Sequence, residues 1–223
     1  MPKQEYGTTA GVLKPLDQVT LPDPRFEHEH RFVNRHEPGP YQLADLHERL
    51  STWPPSAFVP ENVRVQIETA RNLMLYTWFV FEFQTVAEMQ AYAALEFALR
   101  QRLGNPTREI RRKKETKVVP LMLSELLAKA LSDGLIVPEK LPSFEWVKHQ
   151  RAWFAKFYGH PHESISADDW FNYVKSRLPS SRNHLAHGTT KLWWTESFSQ
   201  VELCCDIINA LFSDTKQGQA QPT

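Results

Sequence analysis

The 223-residue sequence has few cysteines and glycines, two and eight, and no excess of charge of either sign. Twenty-six Lys and Arg residues balance twenty-six Asp and Glu residues, so no net charge attracts nucleic acid or an anionic membrane. The two cysteines, Cys204 and Cys205, are adjacent in an apolar stretch, which excludes a disulfide framework and is typical of a reducing compartment. We therefore expect a cytoplasmic protein in which both thiols are small buried residues.

Long apolar runs and the usual catalytic signatures are also missing. The most apolar run, 73–81, has nine residues, whereas a membrane span needs about 20, and residues 1–11 lack the pattern of a secretory signal. We expect no membrane partner. The sequence has no glycine-rich phosphate loop, Gly-x-Ser-x-Gly, His-Glu-x-x-His or Cys-x-x-Cys, which argues against most nucleoside triphosphatases, hydrolases and zinc proteins.

Proline is concentrated at one end, because nine of the sixteen prolines lie in residues 1–60. Each proline removes a backbone donor and fixes φ, so we expect residues 1–60 to form a proline-rich extended N-terminal arm with one helix over 41–50. From residue 61, apolar residues recur every three or four positions, which predicts a helical domain over 61–213, followed by a disordered tail over 214–223. The predicted fold class is all-α, a helical bundle of four to six helices.

Glycine and proline positions divide the helical domain, and no strand is expected in it. We expect two helices within 62–104 that are broken near Phe83, with one long helix as the alternative. Further helices are expected over 119–131, 144–158, 166–178 and 195–212. Gly134 would end the helix over 119–131 and Pro179 the helix over 166–178.

The only strong charge cluster lies between residues 100 and 117, with eight basic residues against two acidic ones. It includes four consecutive cations, Arg111, Arg112, Lys113 and Lys114. This run is a candidate for contact with an RNA backbone or an acidic partner, and a solvated loop is the alternative.

The nine histidines fall into three groups along the sequence, at 28–47, 149–162 and 184–187. The first two groups give weaker signals. His28 and His30 on an extended strand would point to one side and bind a metal ion if His36 or a carboxylate joined them. Histidines that lie between glutamates are more often solvated, so we assign no metal site. His160 and His162 flank a proline in an apparent loop, where they face either a cleft or water.

The third group belongs to the stretch Ser-Ser-Arg-Asn-His-Leu-Ala-His-Gly, residues 180–188, between two predicted helices. The serines would cap a short helical turn whose free amides favour an anion, Arg182 offers a planar fork to phosphate oxygens, and His187 can move a proton near neutral pH. On an ideal helix these two side chains are about 140° apart. Convergence on one phosphate needs a long swing of the arginine, a distorted turn or a symmetric dimer, so we expect a homodimer. The alternative is capping and surface ion pairing.

In this setting, Arg182-Asn183 followed by His187 resembles the Arg-x4-6-His motif of the HEPN superfamily (higher eukaryotes and prokaryotes nucleotide-binding domains). The stretch from Tyr92 to Leu103 resembles the early HEPN helix that ends in an arginine-rich turn, and residues 123–136 fit the helix between the two motifs. The resemblance covers about residues 70–213. Each motif is short, so a helical bundle with a chance match is a further hypothesis.

The resemblance implies a metal-independent endoribonuclease without a cofactor, of the kind found in toxin–antitoxin, abortive-infection and CRISPR-associated systems. By position, Arg182 would hold the scissile phosphate, and His187 would act as general acid or base while the RNA 2′-hydroxyl attacks. Asn183 would orient His187 or the phosphate, and His184 would be a further candidate for contact with the substrate. The implied partners are RNA, a second copy and an antitoxin or other protein. The superfamily also contains non-catalytic members, so a nucleotide- or protein-binding module or dimerisation scaffold is the alternative.

One acidic residue joins the candidate site. Glu96 lies on the same stripe as Tyr92 and Leu99, so we expect a partly buried carboxylate that needs a partner. The two candidate partners are Arg182, across the fold, and Arg100, one turn along the same helix.

Overall fold

The structure, a computed structural model, describes residues 13–28, 42–112, 115–159, 164–188 and 194–213, without the side chains of 27, 28, 112 and 194–196. The described residues form seven α-helices and a two-stranded sheet. The helices are α1 Leu43–Ser51, α2 Glu61–Tyr76, α3 Phe83–Leu103, α4 Leu123–Ser132, α5 Pro142–Tyr158, α6 Ala167–Ala186 and α7 Trp194–Leu211, and the strands are β1 Thr107–Arg112 and β2 Glu115–Pro120. Short 3₁₀ turns lie at Leu16–Gln18, Pro24–His28 and Pro138–Lys140.

The predicted helical bundle is confirmed in outline. Six of the described helices, α2 to α7, lie within residues 61–213, and the expected helix before them is present as α1. The predicted break near Phe83 is also confirmed, because α2 ends at Tyr76 and α3 begins at Phe83. The last helix is present as α7, with the expected apolar face buried.

The centre of the bundle is α3, which packs against α2, α7, α4 and α6. Most of its sides are buried, and the buried positions include four alanines that allow close approach of neighbouring helices. These alanines are Ala87, Ala91, Ala94 and Ala98. The helix ends at Gly104, whose φ of 73° is left-handed and whose N–H donates to the carbonyl of Arg100.

The N-terminal segment is anchored in the turn between α2 and α3. Phe26 is fully buried between Trp78 and Phe81, with ring centroids 5.1 and 5.7 Å away. Asp23 accepts hydrogen bonds from the Arg25 guanidinium at 2.7 and 2.8 Å and from the Phe81 backbone N–H at 3.3 Å. This part of the proline-rich segment therefore contributes to the core.

The prediction that the helical domain contains no strand is wrong. The basic segment forms an antiparallel pair in which β1 and β2 are aligned from Thr107–Pro120 to Arg112–Glu115. The β-branched residues of the two strands favour extended backbone, although the strands are largely exposed. Because β2 occupies residues 115–120, α4 begins at Leu123 and not at Val119 as expected.

Pro179 does not end a helix, which corrects the prediction of a helix over 166–178. It lies inside α6, which continues to Ala186. A proline inside a helix costs about 3 kcal/mol. Burying a large apolar side chain contributes about 1.5–3 kcal/mol. Leu178 is fully buried before the proline and Leu185 is partly buried two turns later on the same face, so packing favours the continuous helix.

The cysteines behave as expected from the sequence. Cys204 and Cys205 are free and buried on α7, and the Cys205 thiol donates to the carbonyl of Trp53. Burial raises the pKa of Cys204 well above its ordinary value and that of Cys205 to about 12. Both thiols are therefore held in the neutral form, which is typical of structural cysteines.

The Asp23 anchor generates a prediction about stability and pH. Burial raises the pKa of the Asp23 carboxyl, but its hydrogen bonds and ion pair with Arg25 outweigh burial and hold the pKa below the ordinary 3.8. We expect Asp23→Asn to lower the free energy of unfolding at neutral pH by about 1–3 kcal/mol. Because the unfolded chain binds the proton more readily, this stabilisation is complete above the ordinary pKa and is lost as pH falls through the folded pKa.

Urea unfolding at neutral pH and at progressively lower pH measures both effects. Asp17→Asn is the matched control, because Asp17 is exposed in the preceding 3₁₀ turn. An equal loss for the two variants at neutral pH would contradict the anchor.

Candidate functional site

The candidate motif lies at the C-terminal end of α6. Arg182, Asn183 and His184 belong to the last turns of the helix, and His187 is its C-cap. The His187 backbone N–H donates to the Asn183 carbonyl at 3.0 Å, and Gly188, with a φ of 66°, ends the helix in the left-handed conformation. Asn183, His184 and His187 are all exposed.

The two serines do not cap a separate turn, which corrects the expected anion site. Ser180 and Ser181 directly follow Pro179 within α6, so their backbone amides are part of the continuous helix. The N-cap of α6 is Ser166, whose side chain accepts a hydrogen bond from the Asp169 N–H. Phosphate binding at the candidate site must therefore depend on side chains.

Glu96 meets both of its candidate partners. The Arg182 Nη2 atom lies 3.2 Å from Glu96 Oε2, and the Arg100 Nη2 atom lies 2.7 Å from Glu96 Oε1. Arg100 also donates to the carbonyl of Leu121, which ties it to the chain after β2. One largely buried carboxylate therefore holds two guanidiniums, and the group keeps one net positive charge.

The two guanidiniums differ in their exposure. The Arg182 side chain is 42% exposed, whereas that of Arg100 is 24% exposed and has a second hydrogen-bond acceptor. Arg100 is thus a structural member of the group. One end of the Arg182 guanidinium is held by Glu96, and the rest of the guanidinium remains accessible to a ligand.

Arg182 and His187 do not share a face within one chain. Because the helix is continuous to Ala186, five residues separate the two positions by about 140° around the axis and about 7.5 Å along it. The His187 imidazole makes no hydrogen bond or ion pair with any described residue. The motif therefore presents two accessible groups on different sides of one helix end.

A buried polar cluster next to Arg182 was missed in the sequence. The Tyr92 hydroxyl donates to Glu88 Oε1 at 2.5 Å and is also hydrogen-bonded to Ser181. Burial and the Glu88 charge raise the pKa of Tyr92 far above its ordinary value. The cluster links α3 to the residue that precedes Arg182, so it fixes this end of α6. The available signal was a Glu and a Tyr four residues apart on a buried helix.

The basic run lies apart from this group. Arg111 is exposed on β1, the Arg112 side chain is not described, and Lys113 and Lys114 lie outside the described residues. Arg108 pairs with Glu125 of α4 at 2.7 Å. Within the described ranges, no hydrogen bond or ion pair joins the strands to Arg182 or His187. The structure thus brings Glu96 to Arg182 but does not bring the basic run to them.

Most of the histidines in the other two groups lie outside the described residues. His30, His36, His160 and His162 are not among the described residues, and His47 is exposed on α1. In the part of the chain that is described, no cluster of three His, Cys, Asp or Glu side chains is suited to a metal ion. No helix among the described residues has the length and apolarity needed to cross a membrane.

Comparison with known proteins gives no family for the chain. A scan against family models and searches of curated proteins and of solved structures found no match. Function must therefore be inferred from the residues of the site itself.

The different roles of Arg100 and Arg182 generate a prediction. We expect Arg100→Ala to lower the free energy of unfolding by about 1–3 kcal/mol, because it removes bonds to Glu96 and to the Leu121 carbonyl. Arg182→Ala removes one partly exposed ion pair, so its cost should be below about 1 kcal/mol.

Urea unfolding of both variants and the wild type measures the difference. A larger cost for Arg182→Ala than for Arg100→Ala would mean that Arg182 has a mainly structural role.

Proposed function

We propose that the protein is a HEPN-like, metal-independent endoribonuclease that acts as a homodimer. The observation that carries the proposal is the Glu96–Arg182 pair, because it orients an arginine that is still accessible at the helix end that also presents His187. A positioned guanidinium and an exposed imidazole are the groups that phosphodiester cleavage by a 2′-hydroxyl requires.

In this mechanism the RNA 2′-hydroxyl attacks the adjacent phosphorus while a base takes its proton. The bond to the 5′-oxygen breaks, an acid protonates that oxygen, and the products are a 2′,3′-cyclic phosphate and a 5′-hydroxyl. Arg182 neutralises the phosphate, and His187 transfers a proton. Asn183 orients one of these groups, and His184 contacts the RNA.

The geometry of α6 supports the proposed dimer. Because the two side chains are about 140° apart on one helix, Arg182 of one protomer and His187 of the other are proposed to meet in a cleft on the symmetry axis. Glu96 acts in this cleft as a positioning residue. It holds Arg182 through one oxygen while Arg100 occupies the other.

The second candidate function is a non-catalytic HEPN-like binding module or dimerisation scaffold. The existing ion pair with Glu96 favours it, since Arg182 is already partly neutralised before any ligand binds. The exposed cation Arg111 on β1 would then contribute, with Lys113 and Lys114, to contact with an acidic partner.

Cleavage of a mixed-sequence RNA in EDTA tests the ribonuclease. We expect activity to persist in the chelator and to fall at least about 100-fold in His187→Ala and in Arg182→Ala. His47→Ala and Arg64→Ala are matched controls, because they remove the same side chains from α1 and α2. Products should carry a 2′,3′-cyclic phosphate.

The outcomes separate the hypotheses. Cleavage that both site variants retain would contradict the site assignment, and RNA binding without cleavage by the wild type would favour the binding module.

Mixing the two inactive variants tests whether the site is shared between protomers. A mixed dimer of Arg182→Ala and His187→Ala keeps one Arg182 and one His187, on opposite protomers. After exchange of protomers we expect about a quarter of wild-type activity, because half of the dimers are mixed and each retains one of two pairs.

Light scattering should establish that every sample is dimeric. A mixture as inactive as its components would place both groups of the working site in one protomer.

A further inference from the structure

Most side chains in the C-terminal half of α5 are exposed. Its first turns are anchored, because Phe144 packs on Trp170 with centroids 5.2 Å apart and the Ser143 N–H and hydroxyl both donate to the buried Asp206. From residue 149 to residue 158, every side chain except Ala155 is exposed. The second half of this helix is therefore uncovered by the described part of the chain.

Helix α5 carries an unusual concentration of exposed aromatic rings. Five aromatic side chains of α5 are between 43% and 66% exposed. They are Trp146, Trp153, Phe154, Phe157 and Tyr158. Exposed apolar patches of this kind mark interaction surfaces in folded proteins.

The rings are arranged in parallel pairs. Trp153 and Phe157 have centroids 5.0 Å apart and planes 14° apart, and Phe154 and Tyr158 have centroids 5.9 Å apart and planes 8° apart. Each pair is a partly exposed stack, which a further planar group can extend.

The charged residues that follow Trp146 on α5 have one sign. No acidic residue occurs between Trp146 and Gly159 in the sequence. Lys156 follows Trp153 by three residues and Arg151 precedes Phe154 by three, so each cation lies beside a ring on the helix surface. Neither cation has an ion-pair partner among the described residues.

A groove runs along the neighbouring side of the helix. It has a volume of about 390 Å³, and Lys148, His149 and Arg151 line it from α5, opposite Ser164 and Ile165. Glu145 also lines the groove and pairs with Lys148 at 2.8 Å. Arg151 is thus the cation in the groove that lacks a described partner.

We propose that the part of α5 that carries these rings, residues 146–158, binds single-stranded RNA, with bases stacked on the aromatic pairs and phosphates beside Arg151 and Lys156. We call this surface the aromatic platform. Aromatic rings interleaved with cations are how proteins hold unpaired strands, because every base has a π face and every linkage has a charge. The proposal rests on RNA as the ligand of the proposed function and adds a second site that captures the strand.

Two other occupants fit the surface less well. A second copy of the platform would bring Arg151 and Lys156 of both protomers together with no acidic residue between 146 and 159 to offset them. A lipid surface would favour aliphatic side chains as well as rings. Every exposed large apolar residue of α5 is aromatic.

Binding of RNA to the full-length His187→Ala protein tests the platform without cleavage. The probe is a fluorescein-labelled oligouridylate of about 12 nucleotides, followed by fluorescence anisotropy. We expect Trp153→Ala and Phe157→Ala to raise the Kd about five-fold or more, and Trp153→Phe to retain most of the affinity. Tyr173→Ala is the matched control, because it removes an equally exposed ring from α6.

Two further measurements use the same proteins. Arg151→Ala and Lys156→Ala should each reduce the slope of log Kd against log salt by about 0.7, whereas Lys129→Ala should not change it. A duplex of the same length should bind with an affinity that Trp153→Ala leaves unchanged, because its bases are already stacked.

Several results would overturn the proposal. These are the absence of binding to single-stranded RNA, an unchanged Kd in the ring variants, and ring variants that lose only binding to vesicles of phosphatidylcholine and phosphatidylglycerol. Conversion of a dimer to a monomer by Trp153→Ala, with unchanged RNA affinity, would assign the surface to self-association.

The proposal of the aromatic platform and the proposal of the ribonuclease can be rejected independently of each other. RNA binding that depends on the rings without any cleavage by the wild-type protein leaves the platform intact and rejects the nuclease. Cleavage that depends on His187, with an unchanged Kd in the ring variants, supports the nuclease and rejects the platform.

Discussion

The burial of α3 is the constraint on which the rest of the structure depends. This helix is surrounded by α2, α4, α6 and α7, and its alanines allow those neighbours to approach closely. A charged group on such a helix requires a partner within the protein, because burial removes most of its contact with water. The two acidic residues Glu88 and Glu96 meet this requirement in different ways, and together they determine how α6 is held.

Glu88 accepts a hydrogen bond from a neutral donor, whereas Glu96 forms ion pairs with two cations. The Tyr92 hydroxyl bonds to Glu88 deep in the bundle and connects to Ser181 on α6. One turn further along α3, Glu96 lies nearer the surface, where Arg100 and Arg182 offset the cost of its desolvation. Two consecutive turns of α3 thus contact two consecutive residues of α6. In the proposed nuclease, this double attachment limits the swing of Arg182 and leaves its free edge for phosphate.

Much of the fold was predictable because it follows from apolar periodicity. The break near Phe83, the stop at Gly134 and the apolar face of α7 are all visible as changes in spacing or as a glycine. The pairing of Glu96 was predictable as a pair of alternatives, since a carboxylate on a buried stripe requires a cation. The sequence did not indicate that one carboxylate satisfies both arginines, because the closeness of α6 to α3 is a tertiary property.

The errors arose where one local rule was applied alone. Pro179 is a helix breaker by itself, but Leu178 and Leu185 lie on one buried face and keep the helix intact. The strands were missed because β1 and β2 are exposed and charged, so they lack the alternation of apolar and polar residues that marks a half-buried strand. The exposure of the α5 aromatic residues was not predicted, because exposure cannot be read from residue type.

The zero net charge limits how the proposed nuclease can hold RNA. A polybasic protein captures RNA mainly through counterion release, so its affinity falls steeply with salt. Here the described cations near the two proposed RNA sites are few, and several are paired with acidic residues. Binding energy must then come largely from stacking, which depends weakly on salt and is insensitive to sequence. Such a division of labour suits a nuclease in which stacked bases hold the strand and a single guanidinium positions the scissile phosphate.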